Sequence, residues 1–133
     1  MKRPKILLNG CFDIIHNGHV WLFDIASDLG IPYCAINSDE SVRFIKGKDR
    51  PINSLFQRRE NLWNYGYFKE IHEFNDEMEL IKIIKKIKPD FILKGADTIY
   101  DKVYSAVTGL ALVKAVIFID HGNMKIHSSD LIK

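Results

Sequence analysis

Short apolar runs alternate with stretches of helical periodicity along this chain, and that alternation restricts the possible folds more than any composition does. Residues 6–8, 31–36, 70–74, 91–94 and 115–119 are brief, apolar and rich in β-branched or aromatic side chains, which reads as five strands. Between them, Trp21, Leu22, Ile25 and Leu29 recur at helical spacing, as do Leu55, Arg58, Arg59 and Leu62, and again Leu80, Ile81, Ile84 and Ile87. A short helix over 41–45 and another over 103–112, interrupted by Gly109, complete the series. Gly30 is expected to close the first helix, Asn53 or Ser54 to cap the third, and Asn75 or Asp76 the fourth. His121-Gly122-Asn123 reads as a turn, and Ser128-Ser129-Asp130 as the cap of a short last helix. Strands that alternate with helices predict a five-stranded parallel sheet covered on both faces, in a single α/β domain over 1–133.

The composition excludes several function classes. A hydrophobic share of 47% with 27% charged residues belongs to a water-soluble globular chain. The net charge of +2 is too small for general nucleic-acid binding. Two cysteines, Cys11 and Cys34, form no disulfide framework and fit a reduced, cytoplasmic setting. No apolar run approaches a membrane span or a signal peptide, so no membrane partner is expected.

The junction between the first strand and the first helix holds the chemistry. Asn9-Gly10 end the strand, Asn17-Gly18 precede the helix, and His16 and His19 lie between and within these turns. Open α/β sheets bind ligands at such a junction, where a helix N-terminus offers unpaired N–H groups to an anion. The pair has three readings. With Cys11 and Asp13 it could bind zinc, although no second cysteine–histidine pair follows at ligand spacing. Each ring could instead be satisfied by local backbone. The third reading is that both imidazoles face one phosphate.

Gly10-Cys11-Phe12-Asp13, two apolar residues, then His16-Asn17-Gly18-His19 resemble the signature of the cytidylyltransferase-like nucleotidyltransferases. The runs Asn37-Ser38-Asp39-Glu40, Lys46-Gly47-Lys48, Arg50-Pro51-Ile52-Asn53, Lys88-Pro89-Asp90 and Lys94-Gly95-Ala96-Asp97, together with Arg58, are similar to the bacterial heptose-1-phosphate adenylyltransferases. Glycerol-3-phosphate cytidylyltransferases share the same frame. The resemblance implies a Rossmann-like fold and in-line attack by a sugar or polyol phosphate on the α-phosphate of ATP or CTP, with pyrophosphate leaving. It implies His16, His19 and Lys46 as catalytic residues. Gly10, Cys11, Phe12, Gly18, Arg58, Ser128 and Ser129 are implied to bind nucleotide, and Asp13, Lys46, Lys94 and Asp97 the acceptor. Mg2+ is implied as the triphosphate's counterion, and a homodimer as the assembly.

Lys46 and Arg58 also read as solvated surface charges, and Trp63, Tyr65, Tyr67 and Phe68 read equally as a dimer surface or as cover for the sheet edge. One departure from the family pattern is plain. The usual Arg-x-Glu-Gly-x-Ser-Thr-Ser/Thr ending is replaced by Gly122-Asn123-Met124-Lys125-Ile126-His127-Ser128-Ser129. The loss of its arginine implies weaker triphosphate binding, and a nucleotide-binding module without catalysis is the alternative reading.

Overall fold

The computed structural model describes residues 2–95, residue 113 and two further strands, 115–120 and 123–128. Its elements are β1 (Lys5–Gly10), α1 (Asn17–Leu29), β2 (Ile31–Asn37), α2 (Asp39–Lys46), α3 (Leu55–Asn64), β3 (Ile71–Phe74), α4 (Glu77–Ile87), β4 (Phe91–Gly95), β5 (Ala115–Asp120) and β6 (Asn123–Ser128). Ser38, Ser54 and Asp76 cap α2, α3 and α4, each accepting the N–H three residues on. The helix expected over 103–112 lies outside the described residues, as do Asp97 and Ser129.

The strands form one sheet in the order β3-β2-β1-β4-β5-β6. Five pair in parallel as expected, but the sheet does not stop there: β6 runs antiparallel along β5. The segment 123–128 was expected to lead from a turn into a helix capped by Ser128. Instead Met124 to His127 pair with Ile119 to Val116, and Ser128 pairs with Ala115. A β-branched apolar strand with an open edge offers a row of backbone groups, and pairing there outweighs the weak capping signal of two serines.

Side chains alternate across the sheet with period two. Ile6, Leu8, Cys34, Ile36 and Leu93 pack on one face with Phe23 and Ala26 of α1 and Leu62 of α3. Leu7, Tyr33, Ala35 and Ile92 pack on the other with Leu80, Ile84 and Ile87 of α4. Phe68 is buried against Phe23, and Tyr67 packs on the same ring, so these two aromatics cover the sheet while Trp63 and Tyr65 stay exposed. Gly30 ends α1 for a steric reason: a Cβ there would stand 2.1 Å from the Pro4 carbonyl oxygen.

From β1 the chain moves outward through β2 and β3, and then restarts on the other side of β1 with β4 and β5. The point where the direction reverses lies between the C-terminal ends of β1 and β4. A crevice opens there because successive loops turn away from each other.

Candidate active site

The turn that leaves β1 enters this crevice. Phe12 takes a left-handed backbone conformation (φ 48°) with its ring buried edge-on against Phe23 and His19. That conformation is costly for a bulky residue, and it holds here because the ring is locked in the core. Asp13 turns inward. One carboxylate oxygen accepts from Arg50 Nε (3.0 Å) and the Ile52 N–H (2.8 Å), and the other from the Asn53 N–H (2.8 Å). The Asp13 carbonyl accepts from Asn53 Nδ2 at 2.7 Å, and the Arg50-Pro51 peptide in this loop is cis. Burial pushes the Asp13 carboxyl up, but the two N–H donors and Arg50 outweigh it and hold the carboxyl below its usual range. Asp13 therefore fastens the 50–53 loop through both of its carboxylate oxygens.

His16 is the N-cap of α1 and His19 its third residue. His16 Nδ1 accepts the Gly18 N–H (3.1 Å), and His19 Nδ1 accepts the His16 N–H (3.2 Å). This is a capping box in which two imidazoles take the places of the usual hydroxyl and carboxylate. The rings stack with centroids 3.9 Å apart. Since both Nδ1 atoms accept, the hydrogen-bond network assigns the proton of each neutral ring to Nε2. Each ring thus has its Nδ1 spent on the N-terminus of the helix. Gly18 is required by this arrangement, because a Cβ there would meet His16 Cε1 at 2.9 Å.

Three cations gather around Cys11. Burial pushes its thiol up, while Lys46, Arg58 and Lys94 pull it down without reversing the shift. The thiol stays protonated and points to Asn37 Oδ1 at 3.7 Å. Lys46 is exposed at the end of α2, and Lys94 reaches from β4 to donate to the Asn9 carbonyl beside Gly10.

Arg58 is not the solvated charge that one reading allowed. It is 0% exposed. Its Nη1 donates to the carbonyls of Cys11 (3.0 Å) and Asn37 (2.7 Å), its Nε to that of Asn53 (3.1 Å), and its Nη2 to Asp39 Oδ1 (2.7 Å). One guanidinium thereby ties the ends of β1 and β2 to the loop before α3. With four of its five N–H donors used in this way it orients the turn.

Ser128 lies elsewhere. Its partner Ala115 is in register with Phe91, and Phe91 with Ile6, so Ser128 sits at the end of the sheet away from Gly10 and the histidines. The helix start expected at Ser128 is a strand end. Among the described residues no group of three His, Cys, Asp or Glu side chains converges as a metal site. The zinc reading also loses Asp13, whose oxygens are committed. Asn37, Asp39, Arg50 and Asn53 were visible in sequence only as members of runs, and their shared task, holding Asp13 and Arg58, became clear with the hydrogen bonds.

The cytidylyltransferase-like family profile matches residues 7–133. The chain belongs to the cytidylyltransferase-like family. It is 41% identical over 120 residues to the bifunctional protein HldE of Campylobacter jejuni, covering 90% of this chain and 25% of that protein. It is 38% identical over 117 residues to the D-beta-D-heptose 1-phosphate adenylyltransferase of Bordetella bronchiseptica, covering 86% of this chain and 69% of the relative. The chain thus spans about a quarter of the length of the bifunctional relatives it matches. The crystal structure of the lipopolysaccharide core biosynthesis protein from Thermoplasma volcanium superposes with a TM-score of 0.75 at 21% identity, over 90% of this chain and 98% of that one, which shows a shared fold. The histidine cap and Lys94 lie at the switch point of the sheet, and Lys46 acts on Cys11 in the same turn. No helix among the described residues is long and apolar enough to cross a membrane.

Proposed function

We propose that this member of the cytidylyltransferase-like family is a nucleotidyltransferase that moves a nucleoside monophosphate from ATP to the phosphate of a heptose 1-phosphate-like acceptor, releasing pyrophosphate. One arrangement carries the reading: two stacked imidazoles, each fixed by its Nδ1, stand at a helix N-terminus, and Lys46 and Lys94 act on Cys11 in the turn that leads to them. An acceptor phosphate oxygen is already anionic and needs no general base. It forms a bond to the α-phosphorus while the bond to the bridging oxygen breaks, and pyrophosphate leaves with that electron pair. The protein's task is to position the two substrates and to place donors and cations where negative charge gathers. His16 and His19 supply the donors, and the lysines supply the charge.

Similarity to the D-beta-D-heptose 1-phosphate adenylyltransferase of Bordetella supports an adenylyl donor and a heptose 1-phosphate over the runner-up, CTP with glycerol 3-phosphate. Mg2+ enters as the counterion of the triphosphate. The described residues present no group of three His, Cys, Asp or Glu side chains for it. A cytoplasmic setting and a homodimer, without nucleic-acid or membrane partners, belong to the same reading.

Pyrophosphate release with ATP or CTP, paired with heptose 1-phosphate or glycerol 3-phosphate, tests the assignment. ATP with heptose 1-phosphate should give the highest kcat/KM. Release in no pair, with a thermal shift by ATP retained, would assign a binding module instead.

A further inference from the structure

A groove of about 440 Å3 opens between the turn after β1 and the distal half of α3, lined by Ile14, Ile15, Asn53, Asn61, Asn64 and Tyr65 beside the Asp13 backbone. We propose that this groove binds the uncharged, hydroxyl-bearing body of the acceptor, so that it selects a sugar phosphate over a short polyol phosphate. The inference rests on the function proposed above.

The lining decides the ligand class. Its only ionisable acid is Asp13, and both oxygens of that carboxylate are committed to Arg50, Ile52 and Asn53. The three cations that act on Cys11 are not in the lining. A site with no free charge does not attract a phosphate, but side-chain amides meet neutral hydroxyls with both donors and acceptors. Asn61 Oδ1 is taken by Gln57 Nε2 at 2.9 Å, which leaves the Asn61 amide hydrogens to donate. Asn53 Nδ2 is taken by the Asp13 carbonyl, which leaves the Asn53 amide oxygen to accept. Ile14, 54% exposed, offers an apolar surface to the C–H face of a ring. Tyr65 is braced edge-on against Phe23 at 6.1 Å, which fixes one wall.

Position ties the groove to the reaction. Ile14 and Ile15 line the groove and His16 follows them directly in the chain, so the groove adjoins the turn that carries the histidine cap. The volume falls within the range of about 300–1,000 Å3 usual for small-molecule sites. A three-carbon acceptor held by its phosphate at the histidines does not extend along the groove, whereas a heptose does.

Titration calorimetry of the whole chain with heptose 1-phosphate, glycerol 3-phosphate and ATP tests the groove without requiring turnover. Asn61→Ala and Asn64→Ala are conservative here, since both residues lie on the outer side of α3 and alanine favours the helix. Each should weaken heptose 1-phosphate about tenfold, as expected for one lost ligand hydrogen bond, and leave glycerol 3-phosphate and ATP within about twofold. The KM for heptose 1-phosphate should rise in parallel. Unchanged heptose 1-phosphate affinity in both variants, with wild-type turnover present, overturns the groove and leaves the nucleotidyltransferase standing. Groove-dependent sugar binding without pyrophosphate release under any condition does the reverse. A wild-type chain that neither binds nor turns over the sugar phosphate overturns both.

Discussion

At the scale of single residues, the site is built from side chains that each do two things. His16 caps α1 and, in the proposed reaction, offers a donor, and the two tasks separate by substitution. Asparagine is among the best N-caps, so His16→Asn should keep the melting temperature while turnover falls about a hundred- to thousandfold, the usual cost of one lost transition-state donor. Steady-state kinetics beside a thermal melt would show it, and turnover within threefold of wild type removes His16 from the chemistry. Asp13 gives a pH signature. Its carboxyl is held below the ordinary range in the folded chain, so its stabilising contribution is complete above the unfolded carboxylate's range and drains away as pH falls through the folded value. Urea unfolding of wild type and Asp13→Asn should differ most near neutrality and converge toward pH 3. Arg58 is the costliest to remove. Arg58→Ala strands the carbonyls of Cys11, Asn37 and Asn53, each worth about 1–3 kcal/mol when left unpaired in a buried setting. A loss of at least about 3 kcal/mol in a denaturant titration is expected, and a loss under 1 kcal/mol would mean that water or a neighbour replaces the guanidinium.

At the scale of elements, periodicity made most of the fold legible. Apolar runs of the right length gave β1 to β5, and Ser54 and Asp76 were among the caps named for α3 and α4, because burial and capping are local pressures written in local sequence. The site was legible in part. His16, His19 and Gly18 stood out by spacing, whereas the inward turn of Asp13 and Arg58 was not visible, since it depends mainly on partners 19 to 47 residues away. One local clue to Arg58 existed: it falls on the apolar stripe between Leu55 and Leu62, where a charged residue must be paired. The end of the chain was misread because a strand that pairs with β5 gains from a tertiary edge that no local pattern reports. That correction changes an expectation. With Ser128 at the far end of the sheet from the histidines, Ser128→Ala should leave the Kd for ATP unchanged in calorimetry. A severalfold loss would bring this segment back to the phosphates.

At the scale of the whole molecule, the apolar surface is uneven. Phe44 and Phe56 are 92% and 73% exposed, and Ile45, Ile52 and Trp63 are also more than half exposed. Isolated apolar residues on a surface are ordinary, but several on α2, α3 and the loop between them favour association. Light scattering at micromolar concentration should give twice the chain's 15.4 kDa, and Phe44→Glu with Phe56→Glu should return it to the monomer mass. A wild-type mass of one chain would dismiss the dimer. The order of the sheet has a separate consequence for how the molecule comes apart. β1 lies between β2 and β4, with further strands beyond each, while the four-residue β3 and the antiparallel β6 form the two margins. Margins open at low free energy and the centre only with global unfolding. In native-state hydrogen exchange the amides of Leu7 and Leu8 should therefore be among the last to exchange. Fraying at either margin leaves the histidine turn mounted on the strand that melts last.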